Sequence, residues 1–170
     1  MYDKILYPTD GSHGAEAALP HVRDLASTYD ATVDILYAID TTEVGIGMVG
    51  HQDTESEPGM VGGHGRDNGP GMVGQQPMPE ETREALEEQG EAVVEHTAEQ
   101  LEGIDTRTVV DSGDPYQVIL DHAAEEGIDL VVMGTHGRTG ADRYLLGSIT
   151  EKVVRTSDIP VVTVRAEAEE

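Results

Sequence analysis

The chain has 170 residues, no Cys, Trp or Phe, and 34 acidic side chains against 10 Lys and Arg, for a formal charge of −24. Disulfides and thiolate metal sites are thereby excluded, the length predicts a single domain, and so negative a surface argues against nucleic acid or an anionic membrane as partner. The charge admits an acidic partner-binding surface or adaptation to concentrated salt, where screening to about 3 Å at 1 M removes self-repulsion; the second fits the composition better.

The first strand is expected at KILYP (4–8), an apolar run that stops at Pro8. The start, MYDKILYPTDG, has no basic segment leading into a long apolar stretch, which predicts no signal peptide and, with no cysteine, a cytoplasmic chain. A helix is expected from Ser12 or His13 to Tyr29, with Ala18, Val22, Leu25 and Ala26 on its apolar face and a kink or break at Pro20. TVDILYAID (32–40) alternates and then turns apolar, as a buried strand does. Residues 41–79 show no period and are rich in Gly, Pro, Gln and Asp. A helix follows from Pro79 to Leu101, with Leu86, Val93, Val94 and Leu101 apolar and Glu80, Glu81 and Glu84 in its first turns.

TRTVVDSGD (106–114) predicts a strand running into a turn, and Pro115 opens a helix to Glu126 that buries Val118, Ile119 and Leu120 in part. IDLVVMG (128–134) is the most continuous apolar strand and is expected at the sheet centre, covered on both faces. A glycine-rich loop follows, then a helix over 148–156, the strand VVTV (161–164) and the acidic tail AEAEE. No apolar run is long enough to span a bilayer.

Strands alternating with helices predict an α/β domain with a parallel sheet and helices on both faces. In such open sheets ligands bind beyond the carboxyl ends of the strands, where the strand order reverses. That rule selects residues 8–12, 38–42 and 134–148.

Two glycine-rich stretches compete for a phosphate. GIGMVG (45–50) has G-x-G-x-x-G spacing, but the mechanism of that fingerprint needs a strand running in and a helix running out, and the chain continues into HQDTESEP. GMVG recurs at 47, 59 and 71, so the match belongs to a tandem repeat of period twelve. GTHGRTGADRYLLGS (134–148) follows a central strand and opens a helix. Its Ser148-Ile-Thr-Glu151 reads as a capping box with Ser148 as N-cap, and a helix amino end offers oriented N–H groups to an anion. Arg138 and Arg143, two of only eight arginines, lie in this loop, which favours an anion nearby.

Gly134-x-x-Gly137, nine residues, then Gly147-Ser148 resembles the G-2x-G-9x-G-[ST] signature of ATP-binding universal stress proteins. ILYPTDGS, LYAID and IPVVTV resemble that family too, so the resemblance covers nearly all of the chain except about 43–79. It implies a Rossmann-like, HUP-type sheet of five parallel strands in the order 3-2-1-4-5, with ATP at the strand ends. It assigns Pro8, Thr9 and Asp10 to the nucleoside end, where the Asp10 carboxylate suits ribose or adenine and would repel phosphate. It brings the Ala38 backbone to adenine, sets Met133 and Gly134 beside the same pocket, and gives the phosphates Gly137, Gly147 and Ser148; Arg138 joins them on its charge and its place in the loop. A bridging Mg²⁺ or Mn²⁺ and a homodimer paired through the last strand, 161–164, are implied as well. Residues 43–79, inserted after the second strand, become a flap over the nucleotide, a partner-facing loop, or a tolerated repeat expansion.

No Walker lysine loop is present, and no spacing singles out a catalytic residue; His136 or Asp142 would orient water if hydrolysis occurs. His51 and His64 form no tight ligand pair, so no protein metal site is expected. Three readings remain: a nucleotide-dependent regulatory module, with slow hydrolysis possible; a weak ATPase or phosphotransferase; or a stress-related interaction protein whose nucleotide is structural or absent.

Overall fold

The computed structural model describes residues 1–42, 78–136 and 146–166. In chain order it has β1 (Lys4–Pro8), α1 (His13–Glu16), α2 (Leu19–Tyr29), β2 (Thr32–Asp40), α3 (Glu80–Gln100), β3 (Thr106–Gly113), α4 (Pro115–Glu125), β4 (Leu130–Gly134), α5 (Ser148–Thr156) and β5 (Val161–Val164). The five strands form one sheet in the order β3-β2-β1-β4-β5, every pairing parallel, as the resemblance implied. β1 and β4 pair through Ile5–Leu130 and Leu6–Val131, and the strand order reverses between them.

Alternation along the strands divides the core in two. Ile5, Tyr7, Val33, Ile35, Leu130 and Val132 point to one face, with Val22 and Ala26 of α2 and Val94 of α3 over them. Leu6, Leu36, Val131 and Met133 point to the other, under Val118, Ile119 and Ala123 of α4 and Val153 of α5. All five residues of β4 are buried, which is why its sequence reads as an unbroken apolar run.

Three boundaries differ from expectation. The first helix divides at Ala17–Ala18, three residues ahead of Pro20, and Pro20 falls in the first turn of α2, where its missing N–H costs no helical bond. β4 begins at Leu130, because the N–H of Ile128 closes α4 on Ala123 and that of Asp129 meets the Lys4 carbonyl. The N-cap of α5 is Gly147, so Ser148 is the first helical residue. The capping box does not form: Gly147, at ψ 148, accepts the Glu151 N–H at 2.9 Å, and the Glu151 side chain pairs with Arg155 at 2.6 Å. The end of β4 and the amino end of α5 nonetheless meet, through the Gly147 N–H on the Thr135 carbonyl and the Thr150 hydroxyl on the Gly134 carbonyl. The GMVG repeat with its flap reading, and Gly137, Arg138, Asp142 and Arg143, lie outside the described residues.

Candidate functional site

β1, β2 and β4 are adjacent and parallel, so their carboxyl ends lie along one edge of the sheet. The chain leaves β1 through Pro8 and Thr9, both buried. The Thr9 N–H continues the ladder onto the Leu36 carbonyl at 2.9 Å, and its hydroxyl accepts the Gly11 N–H at 3.2 Å. Asp10 then accepts the Ser12 N–H at 3.0 Å, and Ser12 caps α1 by accepting the Ala15 N–H at 3.2 Å. Two successive side-chain turns therefore reverse the chain, with Gly11 at φ +71 between them. Tyr7 secures the reversal from below by donating its hydroxyl to the Ala15 carbonyl at 2.8 Å. Burial pushes this phenol up to about 12, against a smaller opposing effect of its hydrogen bond with Thr9.

The reversed segment lies on the end of β4. A Cβ on Gly14 would overlap the His136 carbonyl oxygen, and one on Gly134 would overlap the Gly14 carbonyl. Two glycines thus let backbone meet backbone and join the β1 loop to the β4 loop. Gly14 is the residue that sequence reasoning missed. Its one signal is a glycine in the first turn of a helix, where it weakens the helix unless close approach requires it.

The amino end of α5 is tied to the same place. The Gly147 N–H donates to the Thr135 carbonyl at 2.7 Å, and the buried Thr150 hydroxyl donates to the Gly134 carbonyl at 3.0 Å. No side chain of the N-cap residue closes this end, and Ser148 and Ile149 are exposed. Thr135 and His136 share a hydrogen bond of 2.9 Å between Oγ1 and Nδ1.

Of the predicted residues, Pro8, Thr9, Asp10, Gly134, Gly147 and Ser148 gather at this edge. Ala38 lies on β2 beyond Leu36, which pairs with Pro8, and is half-buried. The Met133 side chain is committed to the core beneath α4 and α5. Asp10 after β1 and Asp40 at the end of β2 are the carboxylates among residues 8–12, 38–42, 133–136 and 146–150. The edge therefore offers N–H and hydroxyl donors around α5 and an acceptor near β1, a division that suits a ligand with an anionic end and a hydroxyl-bearing end. A groove of about 680 Å³ beside Leu19, Arg23 and Gln100 touches none of these residues.

A second polar cluster lies toward the amino ends of the strands. The Asp34 carboxylate, 1% exposed, lies 2.9 Å from His122 Nε2 and 3.6 Å from the Arg107 guanidinium, while its Oδ1 has no hydrogen-bond partner. Arg107 also bonds Glu126 at 2.9 Å, which holds the Glu126 carboxyl below its ordinary value and raises that of Arg107. Among the described residues no helix is long and apolar enough to cross a membrane.

The model of the universal stress protein family matches residues 1–64 and 64–165. Universal stress protein MJ0577 of Methanocaldococcus jannaschii is 32% identical over 175 residues, covering 97% of this chain and 96% of that protein. The solved structure of MJ0577 superposes with a TM-score of 0.75 at 30% identity, covering 99% of each chain. Two more distant structures share the fold. One is a universal stress protein in complex with cAMP (TM-score 0.59, 18% identity, 98% of each chain). The other is an Arabidopsis thaliana family protein with AMP bound (TM-score 0.60, 15% identity, 97% of this chain and 92% of that one). The chain belongs to the universal stress protein family.

Proposed function

We propose that the chain binds ATP at the edge formed by β1, β2, β4 and α5 and acts as a nucleotide-dependent regulatory module in a stress response, with slow hydrolysis at most. The observation that carries the reading is the amino end of α5, without a side-chain cap and tied by Gly147 and Thr150 to the last residues of β4. Free N–H groups and the helix dipole there favour phosphate. Ser148 adds a hydroxyl, Gly137 and Arg138 complete the phosphate loop, and Asp10 takes the ribose or adenine. Pro8, Thr9, the Ala38 backbone and the backbone of Met133 and Gly134 line the nucleoside end. Relatives of the same fold hold AMP and cAMP, ligands with the same nucleoside. A Mg²⁺ or Mn²⁺ ion would take its ligands from phosphate oxygens and water, since among the described residues no three His, Asp or Glu side chains converge on a metal position.

In this reading the protein is a cytoplasmic homodimer adapted to high salt. β5 is an edge strand with Val161, Val162 and Val164 half-buried, and pairing with β5 of a second copy would cover it. The test is to purify the protein in concentrated KCl, extract and identify any bound nucleotide, and titrate the emptied protein with ATP. Micromolar binding is expected. Absence of both carried-over nucleotide and measurable binding would refute the reading. Turnover abolished in His136→Ala with binding retained would convert the module into an enzyme, and a monomer across a range of salt would remove the dimer.

A further inference from the structure

We propose that Thr150 is a positioning residue that sets the phosphate-binding end of α5 through its hydroxyl. This rests on the nucleotide reading above.

Thr150 is the third residue of α5 and is 4% exposed. Its hydroxyl leaves its own helix and donates to the carbonyl of Gly134, the last residue of β4, at 3.0 Å. One residue on, the Thr135 carbonyl accepts the Gly147 N–H at 2.7 Å, while the Thr135 N–H is held by Val164 of β5 at 2.8 Å. Two consecutive carbonyls at the strand end are thereby matched with two donors from the start of the helix. The space left for the joint is small, since a Cβ on Gly147 would lie 3.1 Å from the Thr135 oxygen.

Two physical effects follow. A strand of a parallel sheet ends in carbonyl oxygens, whose partial negative charge opposes a phosphate; occupying the Gly134 oxygen with a hydroxyl proton reduces that opposition. The hydroxyl also fixes the height and direction of the first turn of α5, whose N–H groups serve an anion only when aimed at it. Ser148 and Ile149, between the two tethers, are exposed and free to face the ligand. Thr150 itself is directed at the protein and need not touch the nucleotide.

The test compares ATP and adenosine affinity, by calorimetric titration in concentrated KCl, for the full chain and for Thr150→Val, Thr150→Ala and Thr150→Ser, each with a thermal unfolding curve. Valine keeps the shape and removes the hydroxyl, alanine removes both without adding bulk, and serine keeps the hydroxyl. A folded valine or alanine variant should bind ATP about tenfold more weakly, the scale of one lost buried hydrogen bond, while adenosine affinity changes less than about twofold. Serine should restore ATP affinity to within about threefold. Unchanged ATP affinity in a folded hydroxyl-free variant, or an equal loss for ATP and adenosine, overturns the assignment, as does a serine variant as weak as alanine. If the unaltered chain binds no ATP, the nucleotide reading fails and takes this inference with it; normal binding by that chain isolates the fault to Thr150.

Discussion

Tyr7 donates its hydroxyl to the Ala15 carbonyl from within the core, and burial lifts its phenol from an ordinary value of 10.0 to about 12. A group raised on folding contributes fully below its unfolded value, and the contribution is lost as pH climbs through the folded one. Stability should therefore fall by about 2–3 kcal/mol between pH 10 and 12 from this residue. Tyr7→Phe should cost about 1 kcal/mol at pH 8 and become the more stable protein near pH 12, as urea unfolding at constant salt would show; a gap that is flat with pH would contradict the account. Asp34 poses the opposite problem, a buried carboxylate with one oxygen unpartnered. Removing its nearest partner, His122, leaves that charge facing Arg107 at 3.6 Å. His122→Leu should cost about 3 kcal/mol, whereas Asp34→Leu together with His122→Leu should return to within about 1 kcal/mol of the parent. Simple additivity in urea unfolding at pH 7 would refute this coupling. Residues of this kind show how far sequence reaches. Asp34 carries no local signal within TVDILYAID, because its partners His122 and Arg107 are 88 and 73 residues away. The places of Asp10 after β1 and of Ser148 in the first turn of α5 were legible because a strand end and a helix start are local patterns, though the N-cap fell one residue earlier, on Gly147.

Helix and strand limits followed the same division. β1, β2 and β4 were readable from apolar runs, since buried parallel strands have no polar face to interrupt them, whereas the edge strands β3 and β5 carry exposed polar residues and were read from short valine pairs and the turns beside them. α3 was readable from Leu86, Val93, Val94 and Leu101, yet it also packs on the sheet at Gly90, where a Cβ would lie 2.7 Å from the Tyr37 ring and 3.0 Å from Val110. A stripe search counts apolar residues and passes over a glycine that completes the 86–90–94 spacing by being small. The N-cap of α5 is Gly147, one residue before the motif's serine, because the Gly147 carbonyl accepts the Glu151 N–H, a choice that the motif alone does not decide. Gly14 is the sharpest case, for it joins α1 to the end of β4 with no room for a methyl group. Gly14→Ala would gain about 1 kcal/mol of helix propensity but lose about 1–3 kcal/mol to overpacking, and it would push the β1 loop away from β4. Net destabilisation in urea unfolding is expected together with weaker ATP binding. A variant more stable than the parent and equally tight for ATP would show that the two loops are not held by this contact.

For the molecule as a whole, the net charge of −24 sets the terms on which the fold is stable. Alternation of strand and helix made the parallel sheet legible from sequence, but the charge says nothing about topology and acts on the folded state through self-repulsion. α3 concentrates that repulsion, with Glu84, Glu88, Glu91 and Glu95 all exposed along it. Screening shortens from about 10 Å at 0.1 M salt to about 3 Å at 1 M, so repulsion between neighbouring turns is felt at low salt and is largely removed at high salt. If adaptation to salt is the reason for this surface, stability should rise by about 3 kcal/mol between 0.1 and 2 M KCl, or about 6–12 °C in melting temperature. Replacing those four glutamates with glutamine separates screening from the general strengthening of apolar burial by salt. The variant should be more stable than the parent at 0.1 M and equal to it at 2 M, because only the repulsive part has been removed. If parent and variant instead climb in parallel, repulsion is not what salt relieves. The acidic face of α3 would then have to be explained by a basic partner, the reading that composition alone ranked second.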